Sequence, residues 1–274
     1  MTQMWCNGQW LPAENYPGAA QDRGAFLGLG LFETMLGLDG KLIFPDRHLA
    51  RLHKSAGRLG WSVEIPDLPE IAATLLRKNQ LTSGRARLRL IVTAGSGSHN
   101  DLTAGLDRLV WLSAFPAGET PAALSVCLSP WPRNECSPLA GLKTACYAEN
   151  IMALDHARRQ GFDETIFLNT AGHLCETATA NLFLVVDGVL ITPGLDSGCL
   201  PGIGREVLLE LAAANGIPVK EYPLTARSLD AADEIFISSS TRGPVPVTRC
   251  GDREIPAGPV TEFLRTLWER DIRI

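Results

Sequence analysis

The sequence predicts an α+β fold in which short strands pair with their neighbours along the chain. Its 274 residues are 45% hydrophobic and 20% charged, an ordinary balance for a globular protein with a substantial core. Tight-turn dipeptides such as Asp39-Gly40 and Asp187-Gly188 separate strand-like segments, as they do in antiparallel hairpins. Because a doubly wound parallel sheet requires longer crossovers, we expect antiparallel hairpins combined with helices.

Strand and helix signals alternate in the first part of the chain. Alternating apolar and polar residues predict strands, and an apolar period of three to four residues predicts helices. Pro45 opens the first of these helices, whose predicted apolar face carries Leu49, Leu52 and Ala56. The predicted strands are 31–38, 41–44, 85–93 and 109–115, and a second helix is predicted at 68–78. Together these elements predict a small N-terminal α/β domain over residues 1–115.

A second and larger domain is predicted beyond a linker. The segment PAGET is typical of a connection between domains, and it places the linker at 116–121. The C-terminal domain then covers 122–274 and begins its helical part at Tyr147, with Ile151 and Leu154 on the same predicted apolar face. Its other predicted elements are strands at 124–128, 164–168, 180–186, 189–192 and 234–238, and a helix between Gly202 and Gly216.

The composition argues against several functional classes. The formal net charge of -5 lacks the basic footprint of a nucleic-acid-binding protein. The chain begins MTQMWCNGQW, without the basic start and apolar run of a signal peptide, and no apolar stretch is long enough to span a bilayer. We therefore expect a cytoplasmic protein. Its seven cysteines and five histidines are scattered and form no metal-ligand motif, so no metal site is expected.

One lysine has surroundings that suit covalent chemistry. Lys143 lies in PLAGLKTACYAEN, directly after four apolar or small residues, whereas Lys41 and Lys54 lie in turn-like or charged surroundings. Partial removal from water favours the neutral amine of a lysine, which is the form that makes a Schiff base. Considered by its position alone, however, Lys143 is better explained as a structural lysine at the end of a strand.

A carboxylate and two turns are further candidates for binding a ligand. Glu176 lies between a turn and an apolar strand, where a buried carboxylate needs a partner such as a protonated ring nitrogen or an arginine. The segment LPGIGRE leads into a helix, so the backbone N–H groups of Ile203 and Gly204 could bind phosphate. The hydroxyl-rich segment SSSTRG at 238–243 could bind phosphate or carboxylate. Each pattern by itself also fits an ordinary salt bridge or loop.

Arginines on a helix and on a strand add further candidate anion ligands. Arg51 follows His48 by three residues, so both lie on one face of the predicted helix, and a guanidinium matches phosphate geometry. Without other context, a solvated helix arginine is the simpler explanation. Arg87 and Arg89 are two residues apart on a predicted strand and should therefore point to the same face.

The order of these segments resembles the class-IV aminotransferase family, which depends on pyridoxal 5′-phosphate (PLP) and has fold type IV. That family includes branched-chain and D-amino-acid aminotransferases and aminodeoxychorismate lyases. The resemblance covers nearly the whole chain, through DRGAFLGLGLFET, FPDRHLARL, LKTACYAEN, DETIFLNTAGHLCETATANLFLV, TPGLDSGCLPGIGRE and DEIFISSSTRGPVPV. It implies a small N-terminal α/β domain, a larger C-terminal domain with a barrel-like sheet, and a homodimer.

The resemblance also implies a role for each candidate residue. Lys143 is the catalytic residue and forms a Schiff base with PLP, while Glu176 contacts the pyridine nitrogen and keeps it protonated. Tyr147 is expected near the ring hydroxyl, and Asn181 is expected to support the neighbouring turn. The implied phosphate ligands are Arg51, Ile203, Gly204 and Ser240, and the implied substrate-binding residues are Arg89, His99, Thr241 and Arg242.

The implied reaction is transamination. An amino acid or a primary amine, with D- or R-selectivity as an open option, gives its amino group to a 2-oxo acid, and Lys143 moves the substrate α-proton. The alternative is a 4-amino-4-deoxychorismate lyase that forms 4-aminobenzoate and pyruvate, which the PLAGLK and RHLARL segments favour. Thr144, Leu29 and His99 depart from the residues of many lyases at these positions and weaken that alternative. A PLP-binding protein without turnover is a third hypothesis, which the joint presence of Lys143, Glu176 and Arg51 disfavours.

Overall fold

The chain forms two compact units. The computed structural model describes residues 1–15, 18, 21–98, 100–102 and 107–273. The first unit contains Met1–Glu119 and Leu142–Cys146, and the second contains Thr120–Gly141 and Tyr147–Ile274. The division after Glu119 lies inside the segment 116–121 that the sequence marks as a linker. The sequence predicted contiguous domains over 1–115 and 122–274, whereas the segment Leu142–Cys146 belongs to the first unit.

The first unit is built on a six-stranded antiparallel sheet with the order β2-β1-β6-β5-β3-β4. Its strands are β1 (Gln3–Cys6), β2 (Gln9–Pro12), β3 (Gly30–Leu38), β4 (Lys41–Leu42), β5 (Arg85–Thr93) and β6 (Val110–Pro116). The predicted strand 41–44 is shortened to two residues because Phe44 takes a left-handed backbone conformation, with φ of 54°, and turns the chain into a helix. The hairpin architecture predicted from the turn dipeptides is confirmed in this sheet.

Three helices accompany this sheet, namely α1 (Arg23–Leu27), α2 (Pro45–Arg58) and α3 (Leu68–Lys78). Helix α2 buries Leu52 and Ala56 in the apolar core of the unit, as the sequence predicted. It also buries His48 and Arg51, so Arg51 is not the solvated arginine that its position on a helix suggested. Because buried charged groups need partners, α2 must face a complementary charge on the sheet.

The second unit is built on a nine-stranded mixed sheet with the order β12-β11-β10-β13-β14-β7-β8-β9, and β15 pairs with β14. The strands are β7 (Leu124–Leu128), β8 (Glu164–Leu168), β9 (Leu174–Thr177), β10 (Asn181–Val186), β11 (Val189–Thr192), β12 (Val219–Glu221), β13 (Glu234–Ser239), β14 (Gly243–Cys250) and β15 (Arg253–Glu254). Strand β7 pairs in parallel with both β8 and β14, and β11 pairs in parallel with β12. These parallel pairs join segments that are distant in sequence, so local turn signals did not predict them.

The helices of the second unit are α4 (Ala148–Arg159), α5 (Ile203–Ala214), α6 (Arg227–Asp230) and α7 (Pro259–Asp271). The predicted apolar face of α4 was partly wrong, because Ile151 is 54% exposed while Leu154 is buried. Asn150 is buried instead, and its side-chain amide donates to the carbonyl oxygen of Ala178 at 2.7 Å. A hydrogen bond to a distant segment therefore sets the rotation of this helix more than the apolar period does.

Candidate active site

The segment that carries Lys143 lies beside strand β3. The backbone N–H of Phe32 donates to the carbonyl oxygen of Lys143 at 2.9 Å, and the N–H of Ala145 donates to the carbonyl oxygen of Gly30 at 2.8 Å. An isolated bridge pairs Leu31 with Thr144 between these two bonds. Because both partners belong to the first unit, the position of Lys143 is set by the sheet and not by the helix that follows it.

The side chain of Lys143 shares an aromatic surface with Arg89. The Nζ atom of half-buried Lys143 lies 4.5 Å from the centroid of the Phe32 ring. The guanidinium carbon of Arg89 lies 4.3 Å from the same centroid. Cations are attracted to the face of an aromatic ring at such distances. The structure therefore brings together the lysine predicted to form the Schiff base and one of the arginines predicted to bind substrate.

Arg51 pairs with a carboxylate that the sequence analysis did not single out. Its Nε atom donates to Glu33 Oε1 at 2.9 Å and its Nη2 atom to Glu33 Oε2 at 2.5 Å. The Nδ1 atom of His48 lies 2.7 Å from the same Oε2 atom. Glu33 is only 1% exposed, and His48 and Arg51 are buried with it. Glu33 is thus the partner that the buried face of α2 requires.

This cluster of Glu33, His48 and Arg51 shifts the titration of two of its members. Burial raises the pKa of Glu33, but the Arg51 charge and the bonds from His48 and Arg51 outweigh burial and lower that pKa from 4.5 to about 2. Burial lowers the pKa of His48 below 6.5 despite its bond to Glu33, and the charges of Arg51 and Lys143 lower it further. At neutral pH we therefore expect Glu33 to be ionised and His48 to be neutral, with the Nδ1–H group of His48 donating a hydrogen bond to Glu33.

Acid is expected to destabilise the first unit through Glu33. A carboxyl whose folded pKa lies below its unfolded value stabilises the fold above the unfolded pKa, and this contribution is lost as pH falls. The lowering from 4.5 to about 2 corresponds to about 3 kcal/mol, lost progressively between those two pH values. Denaturant unfolding followed across this range measures the loss. The Glu33→Gln variant is the control, and an equally steep acid dependence in that variant contradicts the prediction.

In the second unit, Glu176 lies near the end of β9 with two partners. Its Oε2 atom accepts from the backbone N–H of Leu200 at 3.0 Å, and its Oε1 atom lies 3.8 Å from Arg133 Nη2. The bond to Leu200 ties the carboxylate to the chain segment that leads into α5. The sequence left open a ring nitrogen or an arginine as partner of Glu176, and within this unit the structure supplies an arginine.

Arg133 is a site residue that the sequence analysis missed. Its guanidinium carbon lies 4.3 Å from the centroid of the Phe167 ring, and its Nη1 atom donates to Asn150 Oδ1 at 3.2 Å. Its Nε and Nη2 atoms are buried without a hydrogen-bond partner among the described residues, although Glu176 lies within ion-pair distance. The segment WPRNE around Arg133 has no periodic pattern, so its role depends entirely on contacts with distant residues.

Tyr147 and Asn181, two residues to which the resemblance gives a role, donate side-chain hydrogen bonds to backbone carbonyl oxygens of the second unit. The Tyr147 hydroxyl donates to the carbonyl oxygen of Ala178 at 2.8 Å. The Asn181 amide donates to the carbonyl oxygen of Leu200 at 2.8 Å, next to the N–H that contacts Glu176. A Cβ atom at Gly202 would lie 1.9 Å from Asn181 Oδ1, so any side chain at this position would displace the Asn181 amide. Asn181 therefore supports the turn that precedes α5.

The start of α5 packs directly against the turn between β13 and β14. A Cβ atom at Gly204 would lie 2.9 Å from the carbonyl carbon of Ser239 and 3.2 Å from the backbone nitrogen of Ser240. The close approach places Ile203, Gly204 and Ser240 next to each other. Gly202 has no side chain with which to cap the first N–H groups of α5, and a helix N-terminus attracts anions. Three of the predicted phosphate ligands thus lie at one place in the second unit, while Arg51 belongs to the first.

The predicted substrate-binding residues of the second unit lie in the same turn. Arg242 donates from Nη2 to Thr179 Oγ1 at 2.7 Å and from Nε to Ser239 Oγ at 3.3 Å. The hydroxyls of Thr241 and Ser239 are 3.4 Å apart. The guanidinium of Arg242 therefore joins the turn to Thr179, which lies between β9 and β10. His99, the remaining predicted substrate ligand, lies outside the described residues.

The surrounding residues define what chemistry these groups can support. Among the residues that the structure describes, no group of three or more His, Cys, Asp or Glu side chains could hold a metal ion. No helix in the described part of the chain is long and apolar enough to cross a membrane. In the first unit, the half-buried Lys143 is a group suited to Schiff-base chemistry. In the second unit, the glycine-bearing start of α5 is suited to binding an anion.

Comparison with known proteins identifies the family. The chain belongs to the family described as amino-transferase class IV, which matches residues 30–250. It is 33% identical to the branched-chain-amino-acid aminotransferase of Escherichia coli (strain K12), with 96% of this chain and 90% of that protein covered. It is 29% identical to the D-alanine aminotransferase of Listeria monocytogenes serotype 1/2a (strain 10403S), with 92% and 90% covered. The predicted family is therefore confirmed, and the chain is a transaminase-class enzyme.

A solved structure supports the same assignment and keeps the alternative reaction in view. A crystal structure from Legionella pneumophila, of a protein provisionally assigned as a 4-amino-4-deoxychorismate lyase, superposes with a TM-score of 0.86 at 30% sequence identity. The match covers 94% of this chain and 97% of that chain. The predicted α+β architecture of fold type IV is confirmed by this agreement and by the family match.

Proposed function

We propose that this enzyme binds PLP through Lys143 and transfers the amino group of an amino acid to a 2-oxo acid. The observation that carries the proposal is the shared position of Lys143 and Arg89 against the Phe32 ring. It places an amine that can bind a carbonyl beside a guanidinium that can bind a carboxylate. An α-amino acid carries an amino group and a carboxylate on neighbouring carbon atoms. The 2-oxo acid formed from it carries a carbonyl group and a carboxylate at the same two positions.

The residues present fit PLP in the chemistry of their donors. Lys143 supplies the amine, Glu176 a carboxylate for the ring nitrogen, and Tyr147 a hydroxyl near the ring. At the start of α5, where close packing leaves no room for a Cβ atom at Gly204, Ile203, Gly204 and Ser240 would hold the phosphate. Arg51 is a further proposed phosphate ligand, by resemblance to the family. When bound, the cofactor withdraws electrons from the substrate α-carbon and carries the amino group between two substrates.

The chain's own residues then have distinct tasks. Lys143 would hold the cofactor through its carbonyl group, and its free Nζ atom would take and return the substrate α-proton. Glu176 would hold a proton on the ring nitrogen, and Arg133, whose Nη2 atom lies 3.8 Å from Glu176 Oε1, would help to keep that carboxylate in place. Arg89 orients the substrate carboxylate, with Arg242, Thr241 and His99 as further proposed contacts. Because one site serves both half-reactions, the expected kinetics are ping-pong.

The relatives indicate which substrates to test. A branched-chain amino acid is the first proposed donor because branched-chain aminotransferases match nearly the whole chain. A D-amino acid or an R-amine is the second, supported by the D-alanine aminotransferase match. The lyase that forms 4-aminobenzoate and pyruvate is the alternative function, favoured by the Legionella pneumophila structure. We also propose that the enzyme is a cytoplasmic homodimer, by resemblance to its family.

A visible absorption spectrum of the purified protein supplied with PLP tests the proposed function. A band that disappears with L-leucine, D-alanine or an R-amine, and returns with a 2-oxo acid, supports transamination and identifies the donor class. A band that ignores all three donors, together with release of 4-aminobenzoate from aminodeoxychorismate, supports the lyase. Absence of any band from the wild-type protein at saturating PLP contradicts both.

Replacing Arg133 with glutamine is expected to slow the half-reaction with the amino donor at least tenfold. The change removes the guanidinium that lies 3.8 Å from Glu176 Oε1 and helps to hold that carboxylate in place. A loss of about 1.4 kcal/mol of transition-state stabilisation corresponds to a tenfold slower rate. Stopped-flow absorbance under single-turnover conditions measures the rate. The control is Arg159→Gln, which removes an exposed arginine from the same unit. Equal rates for the two variants would show that Arg133 does not act through Glu176.

A further inference from the structure

Glu164 is a buried carboxylate that the proposed reaction does not use. It begins strand β8, its side chain is 3% exposed, and burial raises its pKa above 4.5. The hydroxyl of Thr179 donates to its Oε1 atom. Because burial of a charge is costly without compensation, the remaining partners of this carboxylate indicate what it stabilises.

The contacts of Glu164 continue to the turn between β13 and β14. Arg242 Nη2 donates to Thr179 Oγ1 at 2.7 Å and lies 3.9 Å from Glu164 Oε1. Arg242 Nε donates to Ser239 Oγ at 3.3 Å, and the backbone N–H of Arg242 donates to the carbonyl oxygen of Ser239 at 3.2 Å. A continuous series of polar contacts therefore joins Glu164, at the start of β8, to Ser239, at the end of β13.

The same turn is the surface against which α5 begins. The backbone of Ser239 and Ser240 approaches Gly204 so closely that no Cβ atom fits there. Any group that fixes Ser239 also fixes the distance between Ser240 and the first N–H groups of α5.

We propose that Glu164 and Arg242 form a positioning pair that holds the turn at 239–243 against α5 and thereby sets the affinity of the phosphate site. The inference rests on the proposed function, since it assigns the phosphate of PLP to Ile203, Gly204 and Ser240. Glu164 touches neither cofactor nor substrate and acts through Thr179 and Arg242. Arg242, with 25% of its side chain exposed, then serves first to hold the turn.

A double-mutant cycle with PLP affinity as the readout tests the pair. The dissociation constant of PLP is measured by absorbance titration of the protein freed of cofactor, for Glu164→Gln, Arg242→Gln and the double variant. Each single change is expected to weaken PLP binding about tenfold, as loss of a charged contact does. Because the two residues act as one unit, the double variant should bind about as weakly as either single variant. Independent, multiplying effects, or no effect of Glu164→Gln, would overturn the proposal.

Two further variants separate positioning from loss of stability. Glu234→Gln alters another buried carboxylate of the same unit, which accepts from the backbone N–H groups of Val260 and Thr261 at the start of α7. It is expected to lower the melting temperature and leave PLP affinity unchanged, and a comparable loss of affinity in this variant contradicts the proposal. Thr179→Val breaks the same series of contacts with little change in side-chain volume, so it provides the test should Glu164→Gln not fold.

The outcome for the wild-type protein distinguishes this proposal from the proposed function. If wild-type protein binds PLP and Glu164→Gln binds it equally tightly, the positioning pair is refuted and the function stands. If wild-type protein fails to bind PLP at all, the proposed function is refuted and the inference with it. Binding of inorganic phosphate alone, measured by calorimetry, should weaken in Glu164→Gln by the same factor as binding of PLP, because the pair acts on the phosphate site.

Discussion

Replacing Lys143 with alanine is expected to reduce transamination by a factor of at least about a thousand, since positioned proton transfer alone contributes about 10²–10⁴-fold. The change removes the amine that we propose binds the cofactor carbonyl and moves the substrate α-proton. The visible band of the bound cofactor should also be lost or shifted, because the covalent link to Nζ cannot form. Single-turnover absorbance with the donor identified in the spectral assay measures both effects.

The control for this prediction uses another lysine of the same unit. Lys54 is exposed on α2, and Lys54→Ala is expected to leave both the band and the rate unchanged. Lys143→Arg keeps a positive charge near the Phe32 ring but provides no neutral amine, so it should be as inactive as the alanine variant. Substantial turnover by either Lys143 variant would show that another group carries the chemistry.

Replacing Glu33 with glutamine is expected to destabilise the first unit by about 3–5 kcal/mol, the usual cost of breaking a buried ion pair from one side. The substitution removes the countercharge that Glu33 provides to buried Arg51, and an amide presents one oxygen where the carboxylate presented two to Arg51 and His48. Chemical unfolding monitored by circular dichroism measures the effect. A melting temperature lower by roughly 10 °C is expected.

The first unit contains a matched control for this change. Glu70 and Arg77 on α3 also form an ion pair, with the nitrogen and oxygen 3.0 Å apart, but their side chains are 64% and 58% exposed. Exposed pairs are solvated in both the folded and unfolded states, so Glu70→Gln should leave stability unchanged within error. If both substitutions destabilised the protein equally, burial would not be the cause of the Glu33 effect.

Local patterns predicted many elements with their correct ends. Helix α3 and strands β5, β7, β8 and β11 have the bounds that the sequence predicted, because their apolar periods and flanking turns lie within a few residues. Strand β14 was not predicted, since Pro244 and Pro246 resemble strand-breaking residues and only the pairing with β13 and β7 makes the segment a strand. The rotation of α4 was also missed, because a bond from Asn150 to Ala178 overrides its apolar period.

The candidate site was predicted unevenly. Lys143, Glu176 and the two turns were selected because their order along the chain resembles a family, and that family is confirmed. Their roles as ligands of PLP and substrate stay predictions. Arg133, by contrast, had no signal in the sequence, since its importance comes from a 3.8 Å approach to Glu176 between segments that are far apart along the chain.

The sequence by itself determined the family and most of the hairpins and helices, and it singled out Lys143 as the lysine proposed to react. Only the tertiary structure decided which charged groups pair: Glu33 with Arg51, Glu176 with Arg133, and Glu164 with Arg242. Secondary structure follows from side chains that are two to four residues apart, which the sequence displays directly. Electrostatic interactions depend on distance and burial, and folding brings these partners together from segments far apart in the chain.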